Sequence, residues 1–166
     1  MMASLAVVRF VASKSRVAPL KKLSIPRLEL QAAVIGSRLG STILDESRLT
    51  FERVRYLIDS CVALAWVQGE SRSYKPFVSC RVGEIQYNTK PSDWSHCPTL
   101  LNVADNLTKG ISVTEMNERW FNGPGVLQLE EQLLPVEDGK ADAKEVNKQK
   151  KKRLKSPALQ LPPNPL

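Results

Sequence analysis

Apolar residues recur along the chain with two different periods, and each period assigns a stretch to a helix or a strand. Alternating apolar and polar positions predict a strand, whereas apolar residues at three- and four-residue steps predict a helix. Pro, Gly and polar runs bound these stretches. In chain order the pattern predicts a strand at 5–12, a helix at 26–44, a strand at 52–59, helices at 60–68 and 76–87, a strand at 94–98, a helical turn at 102–109 and a helix at 112–121.

This order of strands and helices predicts an α/β domain in which helices flank a largely parallel sheet. The 166 residues, 42% of them hydrophobic, suffice for one packed domain and a tail. Functional sites in such sheets lie beyond the carboxyl ends of the strands. Residues at those ends are therefore the first candidates for chemistry.

The predicted helix at 26–44 organises the first part of the chain, and Pro26 suits its first turn. An apolar stripe is formed by Leu28, Ala32, Ile35, Leu39 and Ile43. The neighbouring face is lined by small residues, including Gly36 and Gly40, so another element can approach it closely. The acid on that face, Glu29, is either a charge favoured by the helix dipole or a ligand.

Two further acids follow predicted strands. Asp59 ends the strand at 52–59, and Asp105 lies in the turn after the last strand. An alternative role for Asp59, together with Ser60, is to cap the next helix. If the three acids meet at one sheet edge, their oxygen-only ligand set suits Mg²⁺. Two such ions about 4 Å apart support phosphodiester cleavage.

Other catalytic schemes find less support in the sequence. The single histidine, His96, falls in a predicted strand, where a packed or surface role is the commoner one. The sequence contains no nucleophile elbow, Gly-rich phosphate loop or zinc motif. Asp59-Ser60 lacks the glycine that an aspartic peptidase loop needs. Three cysteines without CxxC spacing argue against a disulfide framework and favour a reducing compartment.

The net charge of +7 is concentrated in two stretches. Residues 140–155 carry eight basic and two acidic side chains, whereas residues 1–139 carry sixteen and fifteen. Six basic residues and no acid occupy 9–27, which predicts a phosphate-contacting surface. The composition from about Pro135 predicts disorder over 136–166. Within it, Lys148–Lys155 is either a nuclear-localisation run or a solvated charge run, and no apolar run predicts a signal peptide or a membrane span.

Four segments in a fixed order resemble one protein family. They are KSRVAPLKKLSIPRLELQAAV, YLIDSCVALAWVQGESRSYKPFVSCRVGEIQ, LLNVADNLTKG and MNERWFNGPGVL. Together they resemble the RNase H segment of BEL/Pao-type retrotransposon polyproteins over about residues 8–128. The resemblance implies an RNase H-like domain that removes the RNA strand of RNA–DNA hybrids with four acids and two Mg²⁺ ions. It also implies ancestral fusion to reverse transcriptase and integrase. The cysteine pattern and the run Lys148–Lys155 predict an intracellular protein, cytoplasmic or nuclear.

The resemblance implies roles for individual residues. Three of the family's acids correspond to Glu29, Asp59 and Asp105, as catalytic residues and metal ligands. Asn102 corresponds to the residue that holds the turn presenting Asp105. The residues expected near the nucleic-acid backbone are Lys14, Arg16, Lys21 and Lys22.

The chain also departs from the family pattern. The family's first acid lies on a strand before residues 5–12, and no acid precedes Glu29 in this sequence. We therefore expect an N-terminally truncated, incomplete RNase H-like fold over 1–128, in which a mixed sheet lacks its first hairpin, and a disordered basic and Pro-rich tail over 129–166. We expect this chain to be inactive or nearly so. The alternatives are a non-catalytic nucleic-acid-binding protein, a peptidase, and a product that is not stably folded.

Overall fold

The computed structural model describes residues 7–106, 112, 114, 118–123, 127 and 141–151. Its helices and strands are α1 Ile25–Glu46, β1 Tyr56–Ile58, α2 Cys61–Gln68, α3 Pro76–Asn88, β2 Trp94–His96, α4 Glu118–Asn122 and α5 Ala143–Lys148. Short 3₁₀ turns lie at Ser71–Ser73, Pro91–Asp93 and Thr99–Leu101. This mixture of helices and strands agrees with the predicted α/β class and is compatible with an RNase H-like domain. No helix in the described ranges is long and apolar enough to cross a membrane.

The two strands pair in parallel, with Tyr56 opposite Trp94 and Ile58 opposite His96. A parallel pair cannot be joined by a tight turn, so α2 and α3 form the crossover between β1 and β2. The stack of Tyr56 on Trp94, with ring centroids 4.8 Å apart at 14°, fixes one end of the pair. The sequence predicts the position of both strands but makes each of them too long.

The face of α1 that packs into the protein is not the predicted stripe. Its buried residues are Leu30, Ala33, Val34 and Ser37, whereas Leu28, Ala32, Ile35, Leu39 and Ile43 keep part or most of their surface exposed. The helix carries two apolar faces, and periodicity cannot tell which of them a neighbour covers. The neighbour is α3, which contacts the Leu30 face.

Helices α1 and α3 run in the same direction. Arg27 near the start of α1 lies over Phe77 near the start of α3, 4.9 Å from its ring centroid. Farther along, Arg38 pairs with Glu84 at 2.5 Å. Both helix N-termini therefore lie at one end of the domain.

The core lies where α1, α2 and α3 meet the strand pair. Its largest fully buried apolar side chains are Trp66, Leu30, Ile85, Val67, Val78 and Val82. Each such side chain contributes roughly 1.5–3 kcal/mol by burial. Gln86 closes the end of α2, because its amide donates to the carbonyls of Val67 and Gly69 at 2.8 and 2.7 Å.

The predicted strand at 5–12 is wrong over its described part, because residues 7–12 adopt no strand conformation. A strand needs a neighbour that pairs its backbone groups, and in the described sheet β1 and β2 pair with one another. The Phe10 N–H instead donates to the carbonyl of Phe121 in α4 at 2.7 Å. The Phe10 ring lies 5.5 Å from that of Trp120.

The predicted disorder of 129–166 is wrong for residues 141–151. Asp142 caps α5 by accepting from the N–H of Lys144, and the chain then pairs with the loop before α3. The Lys75 N–H donates to the Gln149 carbonyl at 2.7 Å, and the Lys151 N–H donates to the Ser73 carbonyl at 2.8 Å. Charge composition missed this docking because it depends on a few neutral contacts. We call residues 141–151 the docked segment.

The docked segment is held by side chains as well as by backbone. Val146 packs against the core, and its carbonyl accepts from Trp66 Nε1 at 3.4 Å. Gln149 is 5% exposed, and its side-chain oxygen accepts from Arg27 Nη2 at 3.1 Å. The other predicted tail residues lie outside the described residues, as does Gly110 at the end of the predicted turn. The helix predicted at 112–121 includes non-helical Ser112 and begins at Glu118.

We predict that Gly40→Ala destabilises the protein. A Cβ at this position would lie 2.5 Å from Tyr56 Oη and 2.9 Å from its Cε1, and the ring cannot move away without losing its stack on Trp94. Such overpacking costs about 1–3 kcal/mol. Gly36→Ala is the matched control, since its Cβ would meet nothing within 4 Å and should stabilise the helix by roughly 0.5–1 kcal/mol. Urea unfolding measures both, and equal effects would contradict the close approach.

We predict that Gln149→Ala lowers the free energy of unfolding by about 1–3 kcal/mol, because it removes the acceptor of a part-buried Arg27 donor. Exposed Asn147→Ala in the same segment should change it by less than about 0.5 kcal/mol. Chemical denaturation of the full chain gives both values. If the two variants unfold like the unmodified chain, the segment does not dock.

Candidate acidic site

Asp59 follows β1 directly, at the carboxyl end of the parallel pair. The cap of α2 is supplied by the next residue, because Ser60 Oγ accepts from the N–H of Ala63 at 3.3 Å. The capping role that the sequence left open is thus filled by Ser60. The carboxylate of Asp59 is left available for another purpose.

Glu29 is the fifth residue of α1, and the first turn of that helix contains no acid. Burial raises the pKa of the Glu29 carboxyl, and the charges of Asp59 and Asp105 raise it further. A charge stabilised by the helix dipole would shift in the opposite direction. The Glu29 carboxyl is therefore close enough to Asp59 and Asp105 to feel their charges, and the direction of its pKa shift is not that of a charge stabilised by the helix dipole.

Asp105 begins a helical turn that follows the 3₁₀ turn at Thr99–Leu101. The Asn102 side chain supports this turn in two ways, because its oxygen accepts from the N–H of Ala104 at 3.1 Å and its amide donates to Asp105 Oδ1 at 3.5 Å. The arrangement fits the structural role expected of Asn102. Three separate parts of the chain, α1, β1 and this turn, thus bring one carboxylate each to one region.

His96 belongs to this region, which its sequence context did not reveal. Its Nε2–H donates to the Asp59 carbonyl at 3.2 Å, and its Nδ1 is buried without a hydrogen-bond partner in the described structure. The contact follows from strand register, since His96 lies opposite Ile58. A hydrophobicity pattern fixes neither the partner strand nor the register, so it could not place His96 beside Asp59.

The donor chemistry of the site fits Mg²⁺, which prefers carboxylate oxygens. The geometry does not fit a bound metal ion, because no three acidic, His or Cys side chains among the described residues are grouped closely enough to hold one. The charges of Asp59 and Asp105 act on Glu29, but the three described carboxylates do not converge on one point. Metal binding by Glu29, Asp59 and Asp105 stays a prediction.

The expected nucleic-acid contacts lie before α1. Lys14, Arg16, Lys21 and Lys22 are all exposed, in a segment without helix or strand. Their side chains are open to solvent and therefore accessible to a polyanion. The positively charged segment leads directly into the helix that carries Glu29.

The first part of the chain matches a known family model. Residues 3–60 match the Pao retrotransposon-like RNaseH-like domain. Over this range the chain is similar to that domain. The matched range contains Glu29, Asp59 and the four basic residues, whereas Asp105 and Asn102 lie beyond it.

Neither a search of curated proteins nor a search of solved structures found a match. The comparisons with known proteins therefore bear on residues 3–60. The acidic site beyond residue 60 rests on the structure.

We predict that Glu29→Gln stabilises the protein at neutral pH. Because the pKa of Glu29 is raised in the folded state, protonation of Glu29 favours folding. That stabilisation is complete below the ordinary value of 4.5 and is lost as the pH rises through the raised pKa. The variant escapes this loss, so its melting temperature should exceed that of the unmodified chain at pH 7 but not at pH 4.

Glu46→Gln, an exposed acid at the other end of α1, is the matched control for this measurement. Thermal melts at both pH values should show no comparable gain for it. A Glu29→Gln variant that melts lower at pH 7, or that gains equally at both pH values, would show that Glu29 is not held among other acids.

Proposed function

We propose that this chain is a retrotransposon-derived RNase H-like domain that binds RNA–DNA hybrids and hydrolyses them weakly or not at all. The observation that carries the proposal is the electrostatic coupling of Glu29 with Asp59 and Asp105 beside the strand pair. Clustered carboxylates with a raised pKa are typical of functional sites. The match of residues 3–60 to a Pao-type RNaseH-like domain supports the proposal for the first part of the chain.

In this proposal the three acids are the chain's ligands for Mg²⁺. When bound, such ions activate a water molecule and stabilise the leaving oxygen of the phosphodiester. The chain's own residues hold the carboxylates in place: Asn102 orients the turn of Asp105, and His96 fixes the backbone of Asp59.

Weak hydrolysis follows from the spacing of these acids, because no three acidic, His or Cys side chains among the described residues are grouped closely enough to hold a metal ion. The basic residues before α1 do not depend on that grouping. Binding of the hybrid is therefore expected to persist where cleavage does not.

The second candidate is a nucleic-acid-binding protein without catalysis. It is favoured by the exposure of Lys14, Arg16, Lys21 and Lys22 ahead of the acidic site. Such contacts release counterions, so the affinity should fall steeply with salt. An affinity that does not change with salt would count against this candidate.

We predict that the chain shifts a labelled RNA–DNA hybrid in Mg²⁺ but cleaves it no faster than the buffer background. A gel that resolves intact from cleaved RNA measures both properties in one reaction. Robust Mg²⁺-dependent cleavage that Asp59→Asn abolishes would contradict the proposed inactivity. Absence of any shift would contradict the proposed binding.

We predict that Asp59→Asn tightens hybrid binding when a chelator removes divalent ions. In that buffer an acid that faces phosphates repels them by about 1 kcal/mol at contact distance, or roughly fivefold in affinity. Asp45→Asn, an exposed acid near the end of α1, serves as the matched control and should change the affinity less. Fluorescence anisotropy gives both dissociation constants, and equal effects would mean that Asp59 does not face the nucleic acid.

A further inference from the structure

Two arginines pack against one aromatic ring, that of Phe77, near the starts of α1 and α3. The guanidinium carbon of Arg81 lies 3.6 Å from the Phe77 ring centroid, and that of Arg27 lies 4.9 Å from it. Arg81 Nη1 also donates to the Phe77 carbonyl at 3.0 Å. Two like charges are thus held against one side chain, at the end of the domain where both helices begin.

These two guanidinium groups have no carboxylate partner in the described structure. The neighbouring acids form ion pairs with other side chains in the described structure: Glu84 pairs with Arg38, and Glu145 pairs with Lys148. Burial lowers the pKa of Arg81 and the charge of Arg27 adds to that effect, against the opposing influence of Cys80 and Glu84. Moreover, Arg27 Nε is buried without a hydrogen-bond partner. The acid that acts on Arg81, Glu84, is itself paired with Arg38, so among the described residues no carboxylate pairs directly with either guanidinium group.

The backbone adds to the positive potential. Because α1 and α3 are parallel, both of their dipoles direct the positive end to this region. Neither helix has an acid in its first turn or a side chain that caps its N-terminus. A negative ligand is thus favoured by the helix ends as well as by the arginines.

The docked segment brings the basic run of the chain to the same place. Gln149 binds Arg27, and the Lys75 Nζ donates to the Lys148 carbonyl at 2.8 Å. Lys150 and Lys151 follow, both exposed, and the sequence continues with Lys152, Arg153 and Lys155. Along the docked segment and the loop before α3 the acids are Glu70, Asp142 and Glu145, fewer than the basic residues of the same stretches. We call Arg27, Lys75, Arg81, Lys148, Lys150 and Lys151 the basic end surface.

We propose that the basic end surface is a second binding site for the phosphate backbone of nucleic acid, separate from the acidic site. Residues 27 and 29 project from α1 about 200° apart, so Arg27 and Glu29 serve different faces of the helix. The inference rests on the proposed nucleic-acid function and adds the location of a further contact. It also accounts for the docking of residues 141–151, because docking holds the start of the basic run against the domain.

The test is the salt dependence of hybrid binding by the full chain. We expect Lys150→Gln/Lys151→Gln to weaken binding and to reduce the slope of log affinity against log salt by about 2, or roughly one unit for each phosphate that is no longer neutralised. The two side chains are exposed, so the melting temperature should not change. The matched control is Arg48→Gln/Lys90→Gln, which removes the same charge just beyond the opposite ends of α1 and α3. That control should leave the slope nearly unchanged.

A third variant separates this inference from the proposed function. Lys21→Gln/Lys22→Gln removes charge from the segment before α1. If this variant weakens binding but Lys150→Gln/Lys151→Gln matches the control, the basic end surface is not a phosphate site and the proposed function stands. If the unmodified chain does not bind the hybrid, both proposals fail. Displacement of the hybrid by poly-glutamate as readily as by unlabelled hybrid would overturn the assignment to phosphate.

Discussion

Parallel pairing of two three-residue strands is the constraint on which the acidic site depends. A pair of strands is marginally stable by itself and needs contacts with the rest of the protein. The Tyr56–Trp94 stack holds one end, and hydrogen bonds from Cys97 N–H to Ile58 and from His96 Nε2–H to Asp59 hold the other. Because the pair is parallel, the residues that follow the strands emerge at the same edge, and Asp59 lies there.

Negative charge is crowded at this edge, and the repulsion lowers the stability of the folded protein. The pKa of Glu29 is raised first by burial and then by the two other carboxylates. A raised carboxyl pKa of this kind is common at functional sites, and the proposed function accounts for it. At the start of α1 and α3 the opposite charge is crowded, with Arg27 and Arg81 on one ring. The two regions form complementary electrostatic features on different faces of the same helix.

The sequence predicted the elements whose signals are local. The bounds of α1, α2 and α3 follow from Pro at helix starts, from Ser60 as a cap and from apolar periodicity, and the structure places them close to the prediction. The three acids were recognisable from their positions after strands and from the family resemblance. The match of residues 3–60 to a Pao-type RNaseH-like domain confirms that resemblance for the first part of the chain.

Features that depend on distant partners were not predictable. The strand at 5–12 had the right alternation, but the Phe10 N–H donates to the carbonyl of Phe121 in α4 instead of to a neighbouring strand. The buried face of α1 depends on where α3 lies, and the contact of His96 with Asp59 depends on strand register. Docking of residues 141–151 depends on Gln149 and Val146, which a composition dominated by lysine conceals.

The most direct test of the central claim is an NMR titration of the Glu29 side-chain carboxyl carbon in the full chain, repeated in Asp59→Asn and Asp105→Asn. If the three acids share one edge of the sheet, the pKa of Glu29 lies above its ordinary value of 4.5 in the unmodified chain. Each substitution should then lower that pKa, because each removes a neighbouring negative charge. A Glu29 pKa that is not raised, or that neither substitution changes, would contradict the acidic site.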